Sequence, residues 1–383
     1  MQINKAYFDH NATTALDPRV LEAMIPYLSR QNGNPASRHW FGRMSRQAID
    51  HAREQVANAV EAHPSQIVFT SGGTESNNLA IRGISTLGNG QAIAVSAIEH
   101  PCVMNPAKGL QKHGIKVNTI DVDENGKVIV DSLLEKLKTP TGLVSVILAN
   151  NETGVIQNID SIAQIARDHH ALVHTDAVQA LGKIDIDFNA LHVHAMTLSS
   201  HKINGPHGVG ALVIDKRVDL IAQMLGGGQE RGLRSGTENL AAIVGFGAAC
   251  ELLKYERLEH AASIKSLRDA LEIGLRNLGA RIFGVAAERL PNTSFFAFEG
   301  IDGETLVMAM DRKGYAVASG SACSSDSTEP SHVLLAMGIQ PDMARGAIRV
   351  SLSSTNSMEE IESFLTALAN EISRFKQLTA IAV

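Results

Sequence analysis

The chain has 383 residues, of which 44% are hydrophobic and 19% charged, so it can bury a sizeable core and is not a disordered chain. Its 34 Lys and Arg against 40 Asp and Glu give a net charge of −6, which argues against general binding of nucleic acid. Three unclustered cysteines, Cys102, Cys250 and Cys323, exclude a disulfide framework and a Cys-based zinc site. With no apolar signal core and no apolar run near the roughly 18 residues of a membrane span, we expect a cytoplasmic protein.

Strand-like and helical patterns alternate through the first two thirds of the chain. A helical period appears at 45–60, where small and apolar residues recur on one face. Short apolar runs then predict buried strands at 67–70, 91–97, 143–150, 171–178, 194–200 and 208–215. Strands that alternate with helices indicate a mostly parallel sheet with helices on both faces.

The pattern changes near residue 255. A long amphipathic helix is predicted at about 259–279, and strand-like runs follow at 292–300 and 347–353. Ser357 and Glu360 have the spacing of a capping box and mark the start of a last amphipathic helix.

These patterns predict two domains. We expect a large α/β domain over residues 15–257. A smaller α+β domain is expected to combine residues 1–14 with residues 258–383.

Ligands of an open parallel sheet bind at the carboxyl ends of its strands, so the residues that follow each run are candidates for a site. Gly72, Gly73 and Thr74 follow the run at 67–70. The glycines allow a close backbone approach, and Thr74 can cap a helix whose N-terminus suits a phosphate. An ordinary glycine-rich turn is an equal alternative, because neither a P-loop nor a GxGxxG fingerprint is present.

A carboxylate and a lysine follow two later strands. Asp176 comes at the end of an apolar run, where a buried carboxylate needs a cation, and a helix N-cap is the alternative. Lys202 follows the run at 194–200 and enters a Gly/Pro-rich loop, and a solvated surface lysine is the alternative. Together with a phosphate cradle, these residues match what pyridoxal phosphate requires: an amine that binds it covalently, a carboxylate for its ring nitrogen and a helix end for its phosphate.

Several separated motifs resemble those of the cysteine desulfurases, which are pyridoxal phosphate enzymes with the class V aminotransferase fold. The resemblance extends from residue 8 to residue 351 and implies the aspartate aminotransferase-like fold of PLP-dependent transferases. Residues 319–325, Ser-Gly-Ser-Ala-Cys-Ser-Ser, resemble the long mobile cysteine loop of the group I members, expected at about 320–333. The other matching segments are 8–14, 71–76, 174–179, 199–202 and 329–334.

The resemblance implies a role for each cofactor-binding residue. Lys202 is expected to bind the cofactor covalently, Asp176 to pair with the ring nitrogen, and Gln179 to hydrogen-bond the phenolic oxygen. His100 is expected to stack on the ring and to move protons. The residues expected at the phosphate are Gly73, Thr74, Ser199 and His201, with Thr237 supplied by the other subunit of a homodimer.

The resemblance also implies how L-cysteine is bound and cleaved. Asn151 and Arg349 are expected to hold the substrate carboxylate, a role that suits the planar guanidinium fork. Cys323 is the expected nucleophile: its attack on the substrate sulfur gives a persulfide and L-alanine. Cys250 in a helical segment is expected to be a buried structural residue. Cys102 is expected to be incidental, although it lies two residues from His100 and can line the pocket.

Some alternatives remain open at this point. A selenocysteine lyase or a class V aminotransferase shares the scaffold, but the aminotransferase needs no thiol such as Cys323. A non-enzymatic sulfur carrier would require the cofactor motifs to be relics. No metal site is expected, because His169, His170, His192 and His194 lack ligand spacing.

The protein that accepts the sulfur is not indicated by the sequence. Iron–sulfur cluster assembly, tRNA thiolation and DNA sulfur modification are the candidate destinations, and a nitrogen-fixation-type enzyme fits as well as one that serves either of the last two. The chain ends at Val383, soon after its last helix, whereas the housekeeping iron–sulfur members carry a longer tail that helps to dock a scaffold protein. Neither membrane attachment nor direct nucleic-acid binding is expected.

Overall fold

The computed structural model describes residues 6–85, 92–320 and 329–381. The strands are β1 (Ala6–Tyr7), β2 (Ile67–Thr70), β3 (Ala92–Ser96), β4 (Val117–Ile120), β5 (Thr141–Ser145), β6 (Leu172–Asp176), β7 (Ala195–Ser199), β8 (Gly210–Ile214), β9 (Arg281–Ile282), β10 (Thr293–Ala297), β11 (Tyr315–Ala316), β12 (Ala318–Ser319) and β13 (Ile348–Ser351). The helices are α1 (Pro18–Ser29), α2 (Trp40–Asn58), α3 (Gly73–Ser85), α4 (Pro101–Gln111), α5 (Val130–Leu137), α6 (Ile159–Asp168), α7 (Leu240–Asn277), α8 (Gly303–Arg312), α9 (His332–Ala336), α10 (Pro341–Arg345) and α11 (Met358–Ile381). Strands alternate with helices through the first half of the chain, as the sequence predicts.

The largest sheet has the strand order β2-β8-β7-β6-β5-β3-β4. Strands β3 to β7 are parallel where they pair with one another, and β8 is antiparallel to both β2 and β7. Ile67 and Phe69 face one apolar core, while Val68 between them faces a second core on the opposite side. The predicted mostly parallel sheet with both faces covered is therefore confirmed.

The strand directions place three predicted site segments at one edge of this sheet. Since β8 is antiparallel to both of its neighbours, β2 and β7 point the same way, and β6 is parallel to β7. Thr70, Asp176 and Ser199 are the last residues of these three strands. The segments that follow them therefore converge at one edge of the sheet.

Two elements differ from the sequence-based expectation. β4 was not predicted, because its residues Val-Asn-Thr-Ile alternate weakly and it is an edge strand with partial exposure. α7 begins at Leu240 rather than near 259 and continues as one helix to Asn277. Its first eleven residues are almost uniformly small or apolar and buried, so they show no amphipathic stripe.

The last third of the chain forms a second, smaller sheet with the order β12-β13-β10-β9, whose pairs are antiparallel. The predicted strands near 292–300 and 347–353 are β10 and β13. The predicted capping box is confirmed: Glu360 N–H donates to Ser357 Oγ at 3.2 Å, and Ser357 N–H donates to Glu360 Oε2 at 3.1 Å.

The N-terminal segment joins this second sheet region. β1 pairs in parallel with β11, Asp9 bridges to Ser351, and Phe8 lies fully buried in a core with residues of α8, α11 and the end of α7. This arrangement fits the proposed division into residues 15–257 and residues 1–14 plus 258–383. That division stays a prediction, because α7 runs without interruption across its boundary. None of the described helices is both long and apolar enough to cross a membrane.

Candidate active site

Ten of the predicted site residues line one cavity of about 380 Å³ beside the carboxyl edge of the large sheet. They come from strand ends, from the turns that follow, and from β13. The ten residues are Gly73, Thr74, His100, Asn151, Asp176, Gln179, Ser199, His201, Lys202 and Arg349. Residues that are far apart in the sequence therefore lie around one cavity.

Lys202 reaches this cavity from a short 3₁₀ turn, Ser200–Lys202, that directly follows β7. Its Nζ donates hydrogen bonds to the backbone oxygen of Asn11 at 2.5 Å and of Ala12 at 2.7 Å. The N-terminal segment therefore holds the amine at the cavity wall.

Asp176 is a buried carboxylate, 4% exposed, at the end of β6. Its Oδ2 accepts from Asn77 Nδ2 at 2.7 Å, and its Oδ1 accepts from the backbone N–H of Val178 at 2.9 Å. No Lys, Arg or His forms an ion pair with it within the described residues. A buried carboxylate is costly without a cation, so this cavity is suited to a ligand that brings a protonated ring nitrogen.

Ser199 and the start of α3, at the same end of the cavity, are suited to bind a phosphate. Ser199 Oγ is buried without a hydrogen-bond partner, and the N-terminus of α3 begins at Gly73. A Cβ on Gly73 would lie 3.0 Å from Val178 Cγ2, so a glycine leaves room for close approach. Thr74 lies in the first turn of α3 and is not its cap, because the Ser76 N–H donates to the Gly72 oxygen.

His201 lies beside Lys202 at the same end. Its Nδ1 is 3.1 Å from Thr13 Oγ1, which is also 2.8 Å from the exposed His207 Nε2. Burial and the nearby Lys202 charge lower the pKa of His201 to about 4, so its ring is neutral near pH 7. A neutral imidazole can donate a hydrogen bond to an anion.

His100 caps the start of α4 and faces the cavity. Its Nδ1 accepts from the backbone N–H of Cys102 at 3.2 Å and lies 2.8 Å from Cys102 Sγ. Burial lowers the pKa of His100, so its ring can accept a proton near neutral pH. Cys102 also contacts Asn77 and lines the cavity, but burial raises the pKa of its thiol and disfavours the nucleophilic thiolate.

Arg349, on β13, and Asn151, in the segment after β5, form a second end of the cavity. Arg349 Nη1 donates to the Asn151 oxygen at 3.0 Å, and Nη2 donates to Asp9 Oδ1 at 2.6 Å. Arg349 is 5% exposed, and its Nε is buried without a partner. A buried guanidinium with an unused N–H is suited to a carboxylate of a small substrate.

Asn11 connects the two ends, although its sequence context predicts no role for it. Its Nδ2 donates to the Asn151 oxygen at 3.1 Å, and its backbone oxygen accepts from Lys202 and from Gln179 Nε2 at 2.9 Å. The only feature of the sequence that points to Asn11 is its place in the motif at 8–14. Its partners are 140 or more positions away, so local pattern could not reveal them.

Three further expectations concern Thr237, Cys323 and Cys250. Thr237 is exposed in the segment before α7 and does not line the cavity in one copy of the chain. Cys323 lies outside the described residues, so its role stays a prediction. Cys250 is buried in α7, as expected. Within 6–85, 92–320 and 329–381, no group of three or more His, Cys, Asp or Glu is arranged to hold a metal ion.

Residues 6–364 match the family model for class-V aminotransferases. The chain belongs to this family. Among class-V relatives, a protein named cysteine desulfurase IscS from Colwellia psychrerythraea is 42% identical over 382 residues, which is 97% of this chain and 94% of that protein.

Solved structures agree with the class-V assignment. One described as a NifS-like protein is 39% identical with a TM-score of 0.91, and the match covers 96% of this chain and 99% of that chain. A second, described as SspA in complex with cysteine, is 34% identical with a TM-score of 0.82 over 92% of this chain and 100% of that chain. The predicted fold is therefore confirmed.

The class-V family uses pyridoxal phosphate, so the cofactor predicted from the sequence is confirmed. The cavity independently fits this group. It offers the amine of Lys202, the unpaired carboxylate of Asp176, and the unpartnered Ser199 hydroxyl beside a helix N-terminus.

Proposed function

We propose that the chain is a pyridoxal phosphate-dependent cysteine desulfurase, which converts L-cysteine to L-alanine and retains the sulfur as a protein persulfide. The observation that carries the proposal is one cavity that is lined by Lys202, Asp176 and Arg349 together. The relative named cysteine desulfurase, 42% identical over nearly the whole chain, supports the same activity.

In this proposal, pyridoxal phosphate supplies an electron-withdrawing ring that stabilises negative charge at the substrate Cα. Lys202 binds the cofactor covalently, and Asp176 keeps its ring nitrogen protonated. Gln179 donates to the phenolic oxygen. Gly73, Thr74, Ser199 and His201 bind the phosphate.

The other end of the cavity binds and orients L-cysteine. The Arg349 guanidinium and Asn151 hold the substrate carboxylate, so the Cα–H bond is directed at the proton-transferring groups. The Lys202 amine, once released, and the neutral His100 ring remove and return that proton. The Cys323 thiolate attacks the substrate sulfur, the C–S bond breaks, and L-alanine is released after protonation.

A second copy of the chain completes the site. Thr237 is exposed and therefore able to reach the phosphate of a partner subunit. Met224 and Leu225, 45% and 83% exposed, belong to the same region, because Ser235 N–H donates to the Met224 oxygen. Exposed apolar residues beside Thr237 support a homodimer contact.

The persulfide requires a sulfur-acceptor protein and a compartment that keeps Cys323 reduced. An oxidised Cys323 cannot attack, so the cytoplasm is the proposed location. Iron–sulfur cluster assembly, tRNA thiolation and DNA sulfur modification are the candidate destinations. Trapping the persulfide and following its transfer to purified acceptors distinguishes them.

The product of L-cysteine tests the proposed reaction. The purified holoenzyme should release alanine with sulfur retained on the protein, whereas an aminotransferase would release a keto acid. A Cys323→Ala variant should keep the cofactor absorbance and lose persulfide formation. Full alanine and persulfide formation by that variant would contradict the role of Cys323. Cys250→Ala serves as the matched control, because that thiol is buried away from the cavity.

Selenocysteine lyase activity on the same scaffold is the alternative reaction. The Cys323→Ala variant also distinguishes this alternative. A lyase that does not depend on the thiol would keep releasing alanine from selenocysteine at the wild-type rate.

A further inference from the structure

A lysine with no assigned role lies behind the cofactor end of the cavity. Lys183 follows β6 in a turn and is partly buried. Its Nζ donates to Gln179 Oε1 at 2.8 Å and lies 3.4 Å from Asn11 Oδ1. Within the described parts of the chain, no carboxylate forms an ion pair with Lys183. This cation is therefore held by neutral amide oxygens alone.

The contact with Lys183 fixes which way the Gln179 amide faces. A glutamine amide has an acceptor oxygen on one side and an NH₂ group with two hydrogens on the other. The ammonium occupies the oxygen side, and Gln179 Nε2 gives one hydrogen to the Asn11 backbone oxygen at 2.9 Å. The second hydrogen of Nε2 is then available to donate to a ligand, because Gln179 lines the cavity.

The opposite amide orientation would place Oε1 toward the ligand. An acceptor facing an anionic ring oxygen is repulsive, so a reversed Gln179 would weaken binding of the cofactor rather than strengthen it. The protonated form of Lys183 excludes that orientation, because an ammonium has no acceptor capacity and cannot pair with an NH₂ group.

The charges around Lys183 indicate that it lacks an anion. Burial and, to a lesser extent, the positive charges of Lys202 and Arg349 together lower the pKa of Lys183 to about 7. The other titratable groups that interact with it, His10 and His201, have pKa values lowered by burial and are neutral. A negatively charged ring oxygen on the far side of Gln179 would supply the missing anion.

We propose that Lys183 is a positioning residue for the cofactor: it orients the Gln179 amide so that its N–H faces the ring oxygen, and its charge favours that oxygen as an anion. This inference rests on the proposed function, because it assumes that pyridoxal phosphate occupies the cavity. It assigns Lys183 no contact with the substrate.

The visible absorbance of the holoenzyme, titrated with pH, tests this role. Lys183→Met should raise the pKa of the cofactor–Lys202 chromophore by about one pH unit, because a nearby positive charge and an oriented donor are both lost. Lys183→Gln keeps a donor but no charge, so its shift should be smaller and its affinity for pyridoxal phosphate closer to wild type. If Lys183→Met does not fold, Lys183→Gln carries the same test.

Lys127→Met is the matched control. Lys127 is also a partly buried lysine with a pKa lowered by burial. It donates to the backbone oxygen of Ile156, which does not line the cavity, whereas Lys183 donates to Gln179, which does. Provided that the wild-type protein binds the cofactor, either of two results would overturn the inference. One is an unchanged spectral pKa in both Lys183 variants, and the other is a shift in Lys127→Met equal to that in Lys183→Met. A wild-type protein without the visible band would instead overturn the proposed function.

A second measurement separates positioning from charge. In a Gln179→Leu background, Lys183→Met should weaken pyridoxal phosphate binding much less than in wild type, because the group it orients is gone. Fully additive losses of affinity would contradict positioning through Gln179.

Discussion

The two ends of the cavity are built in different ways. The cofactor end uses Asp176, Ser199 and Lys202, each of which ends or directly follows a strand of one sheet. The substrate end depends on the contact between Arg349 and Asp9, which are 340 positions apart in the chain. One end is therefore set by strand order, and the other by docking of the N-terminal segment on the smaller sheet. Substitutions at the two ends should affect cofactor chemistry and substrate binding separately.

The largest effect is expected at the cofactor end from Asp176→Asn. The amide cannot hold a protonated ring nitrogen, so the rate of alanine formation from L-cysteine should fall by about 10²- to 10³-fold. Lys202 still binds the cofactor, so a visible band should remain. The steady-state kcat measures the effect. Asp160→Asn, a surface residue paired with His192, is the control, and near wild-type activity of Asp176→Asn would contradict the assignment.

At the substrate end, Arg349→Lys retains the charge but removes the planar fork. The KM for L-cysteine should rise by about 10- to 100-fold, which corresponds to the free energy of one hydrogen bond to a charged group. The cofactor spectrum should stay unchanged. Arg345→Lys, an exposed residue paired with Asp342, should leave KM unchanged. A changed spectrum with an unchanged KM would place Arg349 at the wrong end.

The sheet that carries the cofactor end should lose stability in acid. Burial lowers the pKa of His174 to about 3, whereas an unfolded His has a value near 6.5. Between these values the unfolded chain binds a proton that the native chain does not, so the free energy of unfolding falls as pH falls below about 6.5. His174→Gln should reduce this loss by about 1 to 2 kcal/mol between pH 7 and 5.

Urea unfolding of both proteins at the two pH values measures that difference. His51→Gln on α2 is the control for the substitution itself, because the His51 side chain is exposed. An identical loss of stability in wild type and His174→Gln would contradict the prediction, because it would show that the pKa of His174 is the same in the native and unfolded states.

The smallest effect is expected from Ser199→Ala. Its hydroxyl is buried without a partner, so the apoprotein should gain up to about 1 kcal/mol while pyridoxal phosphate binds several-fold more weakly. Ser200→Ala is a close control, because Ser200 Oγ is also buried without a partner but does not line the cavity. Melting temperatures with and without cofactor measure both effects. If Ser200→Ala weakened pyridoxal phosphate binding and Ser199→Ala did not, the assignment of Ser199 to the phosphate would be wrong.

The cofactor end was largely predictable from the sequence. Asp176 and Lys202 terminate apolar runs, and a parallel sheet brings such ends to one edge without further information. The substrate end was not predictable in this way. Arg349 and Asn151 were identified only by family resemblance, because nothing near either residue in sequence marks it as a ligand.

Residues that act through distant partners were missed. The contacts of Asn11 depend on how the N-terminal segment docks, and the contact between Lys183 and Gln179 depends on the turn after β6. The start of α7 was missed for a different reason: it is apolar on all sides, so hydrophobic period could not distinguish it from a strand or loop.

The position of the covalent bond to the cofactor tests the account most directly. The holoenzyme is reduced with borohydride, digested and examined by peptide mass spectrometry. Lys183 is the rival amine, because it lies behind the same cavity and has a pKa lowered to about 7. The account predicts the cofactor on the peptide that contains Lys202, with Lys183 unmodified. Cofactor on Lys183, or on neither lysine, would contradict it.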